Sequence, residues 1–115
     1  MTHAHEILDE LREPGQALRR LIPDVYTAFG GLDRAVMAEG ALSVKHKELI
    51  ALAIGATREC DACVASHARG AARAGATEPE VAEAMGVTIL MNGGPGTVWG
   101  PRTLDAFREY VGGKA

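Results

Sequence analysis

An all-α fold follows from three observations on this 115-residue sequence: apolar residues recur at helical spacing, segment ends carry helix caps and breakers, and no stretch shows strand alternation. About six helices are expected, in one domain covering residues 1–115. Residues 3–13 carry Ile7, Leu8 and Leu11 on one helical face, and Pro14-Gly15 ends that segment. The second helix, 23–37, opens with Pro23-Asp24 and repeats Val25, Tyr26, Phe29, Leu32, Val36 and Met37, with an interruption expected at Gly30-Gly31. Ser43 caps the third, whose run from Leu49 to Ala56 is apolar on every side and is therefore expected to be buried. The fourth extends from about Asp61 to Ala74 and stops at Gly75. Thr77-Glu78-Pro79-Glu80 forms a capping box at the head of helix 78–91. Asn92-Gly93-Gly94-Pro95-Gly96 is the clearest breaker cluster and reads as a turn. A short helix over 103–111 then points Leu104, Phe107 and Val111 inward.

A domain of this size buries roughly two-thirds of its unfolded surface, which leaves its core little margin. Aromatic residues are few (one Trp, two Tyr, two Phe), whereas 14 Gly and many Ala let helices approach closely. Part of the apolar surface is therefore expected to lie between subunits of a homo-oligomer. Twelve basic and fifteen acidic side chains give a net charge of −3, and no basic stripe appears. Nucleic acid and anionic membranes are accordingly not expected as partners. The segment Met1-Thr2-His3-Ala4-His5-Glu6 lacks the features of a leader, and no apolar run reaches the roughly 18 residues of a span, so a cytoplasmic location is expected. In that reducing compartment two cysteines read as catalytic, redox-sensing or metal-binding groups, not as a structural staple.

Both cysteines fall within Cys60-Asp61-Ala62-Cys63-Val64-Ala65-Ser66-His67. At about 100° per residue, Cys60, Cys63 and His67 share one helix face. An i, i+3 spacing brings two Cα atoms to about 5 to 6 Å, so this pair can form and break a disulfide. Glu48 stands inside the apolar third helix, where an ionised carboxylate is costly without a partner. A reversal permitted by Gly55 and by Thr57-Arg58-Glu59 makes the third and fourth helices antiparallel. Glu48 and His67 then lie about nine or ten residues to either side of the turn and meet at similar depth. In that arrangement Glu48 orients and charges His67, and His67 moves protons to or from the thiols. Zinc is the competing use of Cys60, Cys63, His67 and Glu48, but compact structural sites draw ligands from two knuckles and no second Cys pair exists. No metal and no cofactor is assigned.

Together, Glu48, Cys60-x-x-Cys63 and His67 resemble the signature of the alkylhydroperoxidase D-like branch of the carboxymuconolactone decarboxylase superfamily, most strongly over residues 44–74. The resemblance implies an all-α bundle of that type, assembly into trimers or hexamers, and thiol-dependent reduction of hydroperoxides by an external dithiol or protein reductant. It also implies that Cys63 attacks the peroxide, that Cys60 resolves the sulfenic acid, and that Glu48 and His67 relay protons. One departure is Ala62, which stands where the best-studied type places an extra histidine before the second cysteine. The relay implied for this chain is correspondingly shorter.

The chemistry accounts for the residue types. A cysteine of ordinary pKa near about 8.5 is mostly protonated at neutral pH, so a neighbouring base or a helix N-terminus must favour the thiolate. Helix position favours Cys60, the resemblance favours Cys63, and reduction by an external thiol is expected at the sulfur nearer the helix end. Elsewhere, His3 and His5 are read as solvated on a frayed terminus, His46 as an ordinary surface residue, and Met85 and Met91 as core. Trp99 is read as a lid over the thiols, an anchor between subunits, or plain core packing. The Gly-rich stretch beside it lacks the endings of a phosphate loop. Besides a peroxidase, two alternatives stay open: a lactone decarboxylase, which needs no thiols, and a thiol sensor without turnover.

Overall fold

The computed structural model describes residues 3–111. Its six helices are α1 (Ala4–Leu21), α2 (Pro23–Met37), α3 (Val44–Thr57), α4 (Asp61–Arg73), α5 (Glu78–Asn92) and α6 (Gly94–Val111), and no strand occurs among the described residues. Two antiparallel hairpins, α3 with α4 and α5 with α6, make the body; α1 lies across α4, and α2 is attached through α1 and α3.

Small residues make α4 central. It buries Val64, Ala65, Ala68 and Ala71, whose short side chains let α1, α3 and α6 come close to its axis. Phe107 of α6 and Leu52 of α3 fill the remaining space, and Val81 and Met85 of α5 close the core. The caps behave as the sequence indicates. Ser43 Oγ accepts the His46 amide, and Thr77 and Glu80 form a reciprocal capping box. Glu80 also binds Lys45 of α3 at 2.9 Å; this contact, with the Thr77 amide, pulls its carboxyl pKa down to about 2. The α3–α5 packing is thereby tied at the rim by charge.

Several breakers do not break. α1 continues through Pro14 and Gly15 to Leu21, because Pro14 forfeits only its own amide bond on an exposed face. Leu18 and Ile22 extend the stripe begun by Leu8 and Leu11. α2 likewise runs unbroken through Gly30-Gly31, since glycine lowers helix propensity without forbidding the helical conformation. Gly55 remains helical too, and the reversal falls at Arg58-Glu59, where Glu59 takes the left-handed φ of 53°. The break at residues 92–96 shrinks to Gly93, whose φ is 68°. From Gly94 the last helix runs through Pro101 to Val111, twice the length expected, because Gly94-Pro95 suits a first helical turn and Pro101 is exposed.

Burial also departs from expectation on several faces. In α3, Leu52 and Ala56 are buried, but Ile50 and Ile54 are 48% and 55% exposed. Met85 is core, whereas Met91 is 77% exposed and Val111 also faces outward. No residue of α2 is buried, and Val25, Phe29, Leu32 and Val36 all present large apolar side chains. Apolar periodicity marks a face that seeks cover without saying whether the same chain supplies it. No described helix is long and apolar enough to cross a membrane.

Candidate thiol site at the start of α4

Cys60 is the residue that caps α4. Its extended backbone (φ −100°, ψ 101°) ends the reversal, its carbonyl accepts the Val64 amide at 2.9 Å, and its Sγ accepts the Cys63 amide at 3.2 Å. The sulfur thus takes the capping role that a hydroxyl or carboxylate oxygen usually plays. Cys60 therefore lies just outside the helix, and the 100° count that placed it on the face of Cys63 applies only from Asp61 onward. The pairing expectation holds nonetheless. Cys60 and Cys63 are joined by a disulfide across a Cα separation of 5.2 Å.

The acid and the imidazole also meet. Glu48 Oε1 lies 2.7 Å from His67 Nδ1, with the two side chains 16% and 31% exposed. α3 delivers Glu48 and α4 delivers His67, one turn beyond Cys63. Two glycines allow this closeness. A Cβ on Gly55 would stand 3.2 Å from Cys63 Cβ, and one on Gly70 would run into the Glu48 carboxylate, 2.7 Å from Oε1. Gly55 was legible only as a breaker, and Gly70 carried no signal beyond its small size within a run of alanines. Both are in fact clearances that let α3 and α4 close up on Cys63 and Glu48.

A cleft of about 410 Å³ opens at the start of α4, with neither cysteine in its lining. Glu59 and Asp61, the neighbours of Cys60 in the chain, line it with His3, Ile7, Trp99 and Arg102. Trp99 is half-buried, packs on the core and stacks 5.0 Å from the Arg102 guanidinium, which makes it a wall of this cleft. Of the remaining histidines, His46 closes on the Ser43 hydroxyl at 2.7 Å. His5 is exposed as expected but not on a loose end: it lies in α1 with Nδ1 2.7 Å from Glu109 Oε1, because α6 packs back against the first turn of α1. Among the described residues no group of three or more His, Cys, Asp and Glu side chains converges in metal-binding geometry.

An all-helical hairpin pair with a cysteine couple at a helix start, backed by an acid–imidazole contact, is a family-level pattern. The chain belongs to the carboxymuconolactone decarboxylase family, whose sequence profile matches residues 23–108. An uncharacterised protein of Cupriavidus necator is 36% identical over 100 residues, covering 87% of this chain and 88% of that one. Uncharacterised protein 4 of the cox locus of Paracoccus denitrificans is 35% identical over 85 residues, covering 74% and 77%. The crystal structure of the apo form of a carboxymuconolactone decarboxylase family protein from Legionella pneumophila has a TM-score of 0.91 at 30% identity, covering 96% of this chain and 98% of that one.

Proposed function

We propose that this protein is a thiol-dependent peroxidase of the alkylhydroperoxidase D-like type, with Cys63 as the attacking thiol. The observation that carries the reading is the closed Cys60–Cys63 pair with the Glu48–His67 contact one turn along the same helix. In the first step Cys63 thiolate attacks the outer oxygen of a hydroperoxide. The O–O bond breaks, the alkoxide takes a proton from His67 and leaves as an alcohol, and Cys63 is oxidised to the sulfenic acid. Cys60 thiol then attacks that sulfur, an S–S bond forms and water departs. Finally an external dithiol reduces the disulfide, returning both cysteines to thiols and becoming a disulfide itself. His67 regains its proton from the thiols during this turnover, and Glu48 holds its ring in register. With Ala62 in place of a further histidine, His67 is the one imidazole assigned to the relay.

Two features favour Cys63 as the accessible sulfur and Cys60 as its partner. Cys63 is exposed and Cys60 half-buried, and the Cys63 amide at Cys60 Sγ stabilises charge on Cys60 when it leaves during reduction. Reduction at the sulfur nearer the helix end, expected from position alone, is thereby redirected to Cys63. The exposed apolar faces of α2, α3 and α5 support assembly into a homo-oligomer, a trimer or hexamer, measurable by light scattering on the eluting protein.

The test is a panel of hydroperoxides against a panel of dithiol donors, with Cys60→Ser, Cys63→Ser and sulfenate trapping. Consumption that needs both thiols, with sulfenate trapped on Cys63, is expected. Sulfenate confined to Cys60 overturns the assignment of roles. Reversible disulfide formation with no consumption by any donor points to a sensor. Lactone decarboxylation surviving removal of both thiols points to the older activity of the superfamily name.

A further inference from the structure

Around α4, Arg69 follows His67 by two residues, about 200° in helical phase, so it leaves the helix on nearly the opposite side from the thiol site. There it lines two adjoining clefts. One, about 280 Å³, is bounded by Leu8, Leu11, Arg12 and Arg19 of α1. The other, about 260 Å³, is bounded by Ala72, Arg73 and Tyr110. A chain of net charge −3 thus gathers four arginines along one seam between α1, α4 and α6.

Not all of that charge is committed. Arg12 binds Asp9 at 2.6 Å, and Arg19 stacks 5.1 Å from the Tyr26 ring. Glu109, the acid of α6 nearest Tyr110, is occupied by the Ala4 amide at 2.8 Å and by His5. No carboxylate among the described residues pairs with Arg69 or Arg73. These two guanidinium groups sit one turn apart on α4 and repel each other, a cost that an anion placed between them reverses. Planar, multiply donating guanidinium groups select clustered anionic oxygens over a single charge. Beside them Leu8, the half-exposed Leu11 and the Tyr110 ring offer apolar walls. Asp9, Glu10 and Glu13 on α1 interrupt the positive field along that helix, which restricts the occupant to a compact molecule and disfavours an extended polyanion.

We infer that the Arg69 seam binds a small organic anion with clustered anionic oxygens, a phosphate ester or a dicarboxylate, its apolar part resting on Leu8 and Leu11. The site uses none of the thiol-site residues, so it stands or falls independently of peroxide turnover. The probes are pyrophosphate and citrate, titrated by calorimetry at matched ionic strength into the full chain and into Arg69→Gln, Arg73→Gln and, as a control on α2, Arg34→Gln. Saturable binding of at least one probe is expected, weakened about tenfold or more by either seam variant and unchanged by the control. Pyrophosphate binding alone assigns a phosphate ester, and citrate binding alone a carboxylate ligand. No saturable binding of either probe at millimolar concentration overturns the inference, as does a loss that Arg34→Gln reproduces. If circular dichroism shows that Arg69→Gln fails to fold, the exposed Arg73→Gln carries the test.

Discussion

Two carboxylate–imidazole pairs occur among the described residues with the same contact, Nδ1 to Oε1 at 2.7 Å, yet they sit in different surroundings. Glu109–His5 joins α6 to α1 at the surface, with His5 60% exposed. Its carboxylate also accepts the Ala4 amide, so it completes the first turn of α1 as an N-terminal anion would. Glu48–His67 is the more enclosed pair, pressed against Gly70, and its imidazole stands one turn from Cys63. An acid beside an imidazole is therefore no function in itself. What surrounds each pair differs: the outer carboxylate also accepts a backbone amide, whereas the inner imidazole follows Cys63 by one helical turn, and the proposed function rests on that second setting.

The difference is broken most sharply at the sulfur. Cys63→Ser is expected to lower hydroperoxide turnover about a thousandfold or more, to the uncatalysed background, while leaving the far-UV circular dichroism intact. Next in size is a paired comparison of the acids. Glu48→Gln should lower kcat about a hundredfold, whereas Glu109→Gln should change it by less than about twofold. Equal losses in the two variants would show that the pairs are not distinguished by their neighbours.

Packing around the inner pair gives a smaller effect. Gly70→Ala forces the Glu48 carboxylate aside and is expected to cost about 1–3 kcal/mol in urea unfolding, with a parallel loss of turnover. A neutral Gly70→Ala would mean that Glu48 has room to move and is not held in register. The smallest effect belongs to the outer pair and is read through pH. Hydrogen bonding to Glu109 raises the His5 pKa above its ordinary 6.5. The contact thus stabilises the fold fully below that ordinary value and is lost as pH rises through the raised one. His5→Gln should lower the melting temperature more at about pH 5.5 than at about pH 8.5, and a pH-independent difference would show that the imidazolium contributes nothing.

How much of this was legible in the sequence differs between the two hairpins. Ser43, the Thr77–Glu80 box and the spacing of Cys60, Cys63 and His67 are local signals, and local hydrogen bonding honours them. Glu48 was legible at longer range because a carboxylate in an apolar helix demands a partner, and antiparallel geometry left His67 at the right depth. Pro14, Gly30-Gly31 and Gly55 misled for a common reason. Each weakens a helix by an amount that tertiary contacts or solvent exposure can offset. Gly96 shows the same point from the other side: a Cβ there would fall 2.7 Å from Ile89 Cα, so the glycine serves the approach of α6 to α5 and not a turn.

By itself the sequence determined the helical class, the caps, the sulfur couple and the acid and imidazole that meet beside it. These follow from covalent spacing and from interactions within one or two helical turns. Only the tertiary structure decided that Cys60 caps α4 with its sulfur, that Gly55 and Gly70 are clearances, that Ile50, Met91 and most large apolar side chains of α2 face outward, and that Arg69 gathers a basic seam. Those outcomes depend on which face of one helix meets which face of another, a choice made by the joint packing of all six.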